Sequence, residues 1–356
     1  MNQFGIKLRL TTFGESHGKG VGGVLDGFPP SFPLDLERVQ EFLSYRRPGF
    51  SSLVSTRRER DEVKFLSGLL EDGTTTGAPI AFFVPNTDVD SSAYEEIQTL
   101  FRPSHADFTY FIKYKLKPQP GGGRSSARET AVRCIAGAIA LQWLATKGIK
   151  IYSYVSQVGN ISLDEDTITE QALHEIYSYP TRCPSHSCDE KIQQTLQQIA
   201  KEGDSLGGVV STRVKNMPTG IGEPLYDKLS SRLGYAMLSI NATKGFEVGD
   251  GFSIASMRGS EANDAMELGP DGEILFNSNH AGGILGGIST GQDLTFRVAF
   301  KPTPSISLPQ HTVSIDRENT TIQTIGRHDP AVVIRAVPVV EAMTALVLTD
   351  FLLQMD

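Results

Sequence analysis

Three histidines stand where an imidazole could move a proton. His17 lies in "TTFGESHGKG" beside Ser16 and among glycines, and His105 lies in "FRPSHADF" between Arg102 and Asp107. His328 lies in "IGRHDPAVVIR" between Arg327 and Asp329, with Arg335 nearby. Histidine is the side chain suited to proton transfer near neutral pH. The residues Gly14 to Gly18 also fit G-x-S-x-G, the nucleophile elbow of serine hydrolases. That elbow needs a strand, a sharp turn and a helix beginning at the serine, then an acid followed by a histidine later in the chain. Here "HGKGVGGVLDG" reads as loop and strand, and His328 precedes Asp329. The context favours His17 over Ser16 as the working residue, although a lone histidine in such a loop also fits a structural role.

Other stretches suit anions. In "PQPGGGRSSARET", three glycines, Arg124, Ser125 and Ser126 lead into a helix start, where free N–H groups and the helix dipole favour negative charge. The P-loop pattern is absent, and a flexible loop with a helix cap is the plainer alternative. "NHAGGILGGIST" lacks the Rossmann spacing and suits backbone lying against a flat ligand. "KPTPS" carries Lys301 and Ser305 on a loop stiffened by Pro302 and Pro304. "YRRPGFSSLVSTRRER" gathers Arg46, Arg47, Arg57, Arg58 and Arg60, which fits a compact anion or a solvated face paired with Glu59, Asp61 and Glu62. Cys183, His186 and Cys188 in "CPSHSC" lack a nearby fourth ligand and match no usual zinc spacing, so a structural or surface role is expected.

These residues need elements to hold them. "LDLERVQEFLSYR" predicts a helix with Leu36, Val39, Phe42 and Leu43 on one face. "PIAFFVPN" predicts a buried strand, and "DLTFRVAF" alternates as a half-buried strand should. "SSARETAVRCIAGAIALQWLATKG" predicts a helix opened by a Ser126–Glu129 capping box and closed before Gly148. Further helices are expected in "DEKIQQTLQQIAKEG", with a glycine cap, and in "VEAMTALVLTDFLLQ". "KGVGGVLDGFPP" and "DSLGGVVSTRVKNMP" echo each other, each followed by an expected helix, through duplication or chance.

The 356 residues and 39% hydrophobic content support a sizeable core, and no low-complexity linker divides them, so a single domain over 1–356 is expected. A net charge of −8 disfavours nucleic acid as a partner. "MNQFGIKLRL" lacks the long apolar run of a signal peptide. Arg335, Pro338 and Glu341 interrupt the most apolar late stretch, so no membrane span is expected. Three cysteines are too few for a disulfide framework, and the cytoplasm is the simplest location.

Taken in order, "TTFGESHG", "RRPG", "RPSHADFTY", "GGGRSSARET", "KEGDSLGG", "NATKGFEVGDGF", "SNHAGGILGGISTGQ", "KPTPSI" and "GRHDP" with its following arginine and "EAM" resemble the chorismate synthase family. The resemblance spans nearly the whole chain. It implies an α+β fold in which antiparallel sheets are sandwiched with helices in one domain. It also implies a 1,4-elimination of phosphate from 5-enolpyruvylshikimate 3-phosphate to give chorismate, the last common step toward the aromatic amino acids. That reaction requires reduced FMN without net redox change. The substrate carries two carboxylates and a phosphate, and arginine forks match both groups.

By the same resemblance, His17 is the residue that protonates reduced flavin, and His105 is the acid that assists phosphate departure. Asp329 stands near flavin N5 and helps remove the C6 proton. FMN contacts carry over to Arg124, Ser125, Ser126, Asn241, Ala242 and Gly286, to Lys301, Pro302, Thr303, Pro304 and Ser305, and to Arg327. Arg46 matches an arginine assigned to NADPH or to the anionic substrate pocket. Arg102, Arg128, Arg133 and Arg335 are further substrate candidates. Many family members carry a second arginine shortly after "RRPG", where this chain has Ser52, which weakens the link to NADPH. The Cys183–Cys188 segment also departs from the family pattern, which touches a surface region only. A homotetramer and a separate source of reduced flavin are implied as well. A serine hydrolase acting through Ser16, and a flavin- or phosphometabolite-binding protein without turnover, are the competing readings.

Overall fold

The helix Thr130–Thr146 is apolar and buried over most of its surface, as a helix must be if it is largely surrounded by protein. In the computed structural model, which describes residues 2–47, 61–87, 99–117, 119–323 and 329–355, it pairs with a second largely apolar and buried helix, Val333–Met355. Gly137 makes that pairing close: a Cβ there would lie within 3.0 Å of Ala342. The later helix has the length and hydropathy of a membrane span, but most of it is buried inside the protein, between sheet and helix. It runs through Pro338, which supplies no N–H to the preceding turn.

Two five-stranded antiparallel sheets flank this pair. The first runs Gln3–Phe4, Arg9–Gly14, Gly20–Asp26, Ile80–Pro85, Lys64–Phe65 in spatial order. The second runs Ile161–Ser162, Lys150–Val158, Gly208–Lys215, Leu294–Phe300, Thr243–Val248. Setting aside one short edge strand in each, the halves share a single plan. Allowing for further elements inserted between them, two strands, a helix, an edge strand, an inner strand and a long core helix come in the same chain order, with identical sheet order. The two "GGV" stretches are the middle strands of the two sheets, and the helices Leu36–Arg46 and Leu229–Leu238 follow them. The echo in the sequence therefore marks equivalent positions in the fold.

Most expected elements are present with adjusted edges. Leu294–Phe300 alternates buried and half-buried residues along its length, and Ile80–Pro85 does the same rather than being buried throughout. On Leu36–Arg46, Val39, Phe42 and Leu43 are buried but Leu36 is exposed. Ser126 caps a short 3-10 turn, Ala127–Glu129, before the α-helix starts, and Glu129 pairs with Arg133 at 2.8 Å instead of closing a capping box. The helix His186–Glu202 ends on left-handed Gly203 as expected. The segment around Cys183 and Cys188 is not a surface region: both thiols are buried, and Asp189 accepts the Thr181 N–H at 2.8 Å. In the core, the buried Glu341 accepts from the Tyr177 hydroxyl at 2.6 Å. Burial pushes that carboxyl up to about 8, against the opposing pull of the tyrosine hydrogen bond.

Candidate active site

Ser16 and His17 sit in the loop of a β-hairpin, between Arg9–Gly14 and Gly20–Asp26. No helix begins at the serine, so the nucleophile elbow is absent. Ser16 Oγ is 3.3 Å from His17 Nδ1 and donates to the Pro120 carbonyl at 3.3 Å, while Ser16 N–H donates to the Gly123 carbonyl. The hairpin loop is thus laid onto the triglycine turn.

That turn is the centre of the site. Gly121, Gly122 and Gly123 have φ of 61°, 86° and 53°, a left-handed run that side chains disfavour. A Cβ on Gly121 would overlap the His17 ring, and one on Gly122 would stand 3.2 Å from His105 Cε1. Two histidines distant in sequence therefore rest on consecutive residues of one turn.

His105 is held from behind. Its Nδ1 is 2.9 Å from Asp107 Oδ1, and Arg102 grips the same carboxylate through Nε and Nη2 at 2.7 and 2.8 Å. Burial pushes the Asp107 carboxyl up, but the hydrogen bonds from Arg102 and His105 outweigh it and hold the group well below the usual carboxylate range. A carboxylate facing Nδ1 favours a proton there and turns Nε2 toward the turn.

A second charge cluster is joined to the His17 loop through Asn86. Asp61, placed in a solvated face by one of the two readings of the arginine-rich stretch, is buried and joins Arg46 at 2.9 Å to Arg128. Arg46 also donates from Nε to Thr130 Oγ1 and from Nη2 to the Ala127 carbonyl. Burial lowers its affinity for a proton. Arg335 donates to the Arg46 carbonyl at 3.0 Å and pairs with Asp329 at 2.7 Å. Arg133 is tied to Glu129 and to Ser239.

The second half of the chain closes the remaining side. Asn241 Nδ2 donates to the Ser125 carbonyl at 2.9 Å, and the carbonyl of Ala242 accepts from Lys301 N–H at 3.0 Å. Ala242 itself has a φ of 67°. Lys301 Nζ donates to the Ser104 carbonyl, next to His105, and burial lowers the lysine pKa, with Lys244 adding to the effect. Thr303 Oγ1 donates to the Asp329 carbonyl at 2.9 Å. Pro302 packs at Gly207, and Ser305 past Pro304 is buried. "KEGDSLGG" supports this loop, since Ser205 Oγ donates to the Thr303 carbonyl and Leu206 N–H to the Pro330 carbonyl. Gly286 is in the turn of a separate hairpin, Ile284–Leu285 with Ile288–Ser289, and a Cβ there would meet nothing within 4 Å. Arg327 and His328, with Ser52, Arg57, Arg58 and Arg60, lie outside the described residues.

A cleft of about 380 Å³ opens beside the turn, lined in part by Phe4, Tyr110, Tyr235, Arg124, Arg133 and Asn241. Arg124 Nη2 donates to the Thr12 carbonyl at 2.9 Å, yet its Nη1 is buried without a hydrogen-bond partner, and so is Asn241 Oδ1. Buried polar atoms are rarely left unpaired, so a donor and an acceptor left over beside an aromatic-lined cleft point to a polar, partly flat ligand. Among the site residues named here, Arg46, Arg102, Arg124, Arg128, Arg133, Arg335 and Lys301 outnumber Asp61, Asp107, Glu129 and Asp329, on a chain of net charge −8. The excess suits an anion.

Asn86 escaped the reading of the sequence. It follows the strand Ile80–Pro85 and touches both the His17 loop and Arg128. No periodicity marks such a residue; only its position beside the hairpin loop reveals it.

Comparison with known proteins agrees with this geometry. The family model described as chorismate synthase matches residues 8–353. The chorismate synthase of Porphyromonas gingivalis is 55% identical over 350 residues, covering 98% of this chain and 95% of that protein. That of Bacteroides fragilis is 50% identical over 352 residues, covering 99% and 98%. A crystal structure of chorismate synthase matches with a TM-score of 0.79 at 31% identity, covering 99% of this chain and 93% of the other.

Proposed function

This chain belongs to the chorismate synthase family, and on that premise we propose that it converts 5-enolpyruvylshikimate 3-phosphate to chorismate and phosphate with reduced FMN bound beside the triglycine turn. The observation that carries the reading is the convergence of His17 and His105 on Gly121 and Gly122, within a positively charged surround. The elimination breaks a C–O bond to phosphate and a C–H bond on the same ring. It needs a proton source at the departing oxygen and an acceptor for the ring proton.

His105 fits the first task. Asp107 orients its imidazole from the Nδ1 side, which leaves Nε2 facing the turn to give a proton to the leaving phosphate. Asp329 fits the second, as a carboxylate fixed by Arg335 and by the Thr303 hydroxyl on its own carbonyl. His17 is the other group in this corner able to hold a proton near neutral pH. Lys301 and Arg128 are the cations placed to receive the phosphate and carboxylates, with Arg46 orienting Arg128 through Asp61.

The residues present fit FMN. The unpaired Asn241 Oδ1 and Arg124 Nη1, with Ser125, Ser126, Ala242 and the Lys301–Ser305 loop, would hold its ring edge and phosphate. When bound in reduced form, that group would supply electron density to the substrate as the C–O bond breaks. The protein's part is positioning, charge complementarity and exclusion of water. The premise extends to a cytoplasmic homotetramer supplied with reduced flavin by a separate enzyme.

The test is an anaerobic assay with enolpyruvylshikimate phosphate and chemically reduced FMN. Phosphate and chorismate should appear in equal amounts. Folded protein that releases neither would sink the reading. Asn241→Leu should weaken FMN binding about tenfold in a fluorescence titration, as expected for a lost buried hydrogen bond of about 1–1.5 kcal/mol.

A further inference from the structure

Asn86 bridges two parts of the site that are distant in sequence, and it is not itself a proton carrier or a charge. Its Nδ2 lies 3.0 Å from the Glu15 carbonyl, 3.0 Å from that of Ser16 and 2.9 Å from that of Gly18. Its Oδ1 accepts from Arg128 Nε at 3.0 Å. Its backbone N–H donates to the Lys19 carbonyl at 3.1 Å, extending the strand pairing that ends at Gly20 and Pro85. Three carbonyls on one side and an N–H on the other allow only one orientation of the amide. Only a primary amide meets both demands. A carboxylate would face three carbonyl oxygens, and an aliphatic group would leave all four partners unmet.

We propose that Asn86 is a positioning residue, which locks the loop carrying His17 in register with Arg128 and, through Asp61, with Arg46. The proposal rests on the reaction assigned above. The carbonyls on both sides of His17 are held, so the imidazole has a fixed stem from which to meet the triglycine turn. The same amide sets the third donor of a guanidinium whose other two ends are taken by Asp61 and the Pro85 carbonyl. Proton carrier and anion-binding cation are thereby placed relative to each other by a single side chain.

The experiment compares Asn86→Leu and Asn86→Asp with the wild type by hydrogen exchange and by steady-state kinetics under the anaerobic assay. In both variants, amide exchange at Ser16 and Gly18 should rise about tenfold or more, while the strand Ile80–Val84 keeps its wild-type protection. Turnover should fall about 10- to 100-fold in both, the scale for a displacement of about 1 Å at a reacting group. KM for the phosphorylated substrate should rise in Asn86→Leu and much less in Asn86→Asp, because aspartate keeps the acceptor for Arg128. Unchanged loop exchange in Asn86→Leu would overturn the proposal, and so would a loosened loop with wild-type kcat. A loosened loop in a protein whose wild type never turns over this substrate would instead refute the assigned reaction and leave the clamp standing.

Discussion

Gly121→Ala separates what the triglycine turn does for folding from what it does for chemistry. At φ of 61° an alanine costs about 1–2 kcal/mol in the left-handed region. In a chain of this size that lowers Tm by about 1–3 °C. Gly148→Ala provides the control, since Gly148 has φ of 78° and nothing within 4 Å of an added Cβ. The two variants should therefore melt within a few degrees of each other. They should differ at the site. The new methyl at position 121 would stand 2.9 Å from Ser16 Oγ and closer still to His17 Cε1 and Nδ1. Carbon atoms settle at about 3.5–4.0 Å, so the imidazole must retreat by about 1 Å. A shift of that size costs about 100-fold in turnover. Scanning calorimetry and anaerobic phosphate release measure the two effects. If Gly121→Ala turned over within threefold of Gly148→Ala, the ring would not depend on that turn, and the argument for a shared platform under both histidines would fail.

Asp107→Asn should lower kcat by about 10²–10⁴, the range for acid–base catalysis, with folding retained. Asp107 has a depressed pKa, so its stabilising contribution is present above about pH 4 and is lost as pH falls below it; the variant's Tm should change less with pH in that acid range. Glu341 has the opposite sign. Its folded carboxyl keeps a proton up to about pH 8 that the unfolded chain has lost by about pH 5, so stability falls as pH rises between those values. Glu341→Gln should thus gain Tm relative to wild type across that window, and a constant difference between the two would refute the assignment. Ser16→Ala loses contacts of 3.3 Å to His17 and the Pro120 carbonyl, and steady-state assays should show less than a tenfold loss of turnover; near-complete loss would revive the hydrolase reading.

What could be read in the sequence was what repeats or what is spelled out locally. Alternation located Leu294–Phe300, helical spacing located Thr130–Thr146, and the ordered glycine and arginine motifs identified the family. Those motifs also named the two histidines, which the fold brings to one turn. What stayed hidden were residues defined by partners far away in sequence. Asp61 looked like one more charge in a solvated run, because nothing nearby reveals that Arg46 and Arg128 close over it. Asn86 looked like the end of a strand. Glu129 had the spacing of a capping-box acid, but Arg133, one turn along, offers a full charge where the cap offers only a backbone dipole. The cysteine-bearing segment looked superficial because its polar residues find their partners internally, as Asp189 does with Thr181.

The shared plan of the two halves bears on when the site comes into being. Each inner strand is followed by a long excursion and then a core helix: "RPSHADF" and the triglycine turn in the first half, "KPTPS" and Asp329 in the second. The two excursions meet where Lys301 reaches Ser104, and Asn241, just ahead of the edge strand Thr243–Val248, reaches Ser125. Neither half holds a usable site alone, because each supplies one wall. A chain with both sheets formed but the helix pair not yet closed would have its secondary structure and no catalytic power. Activity therefore requires that the two halves have closed on each other. The seam at Gly137 and Ala342, where the two core helices approach closely, is part of that closure without being part of the chemistry.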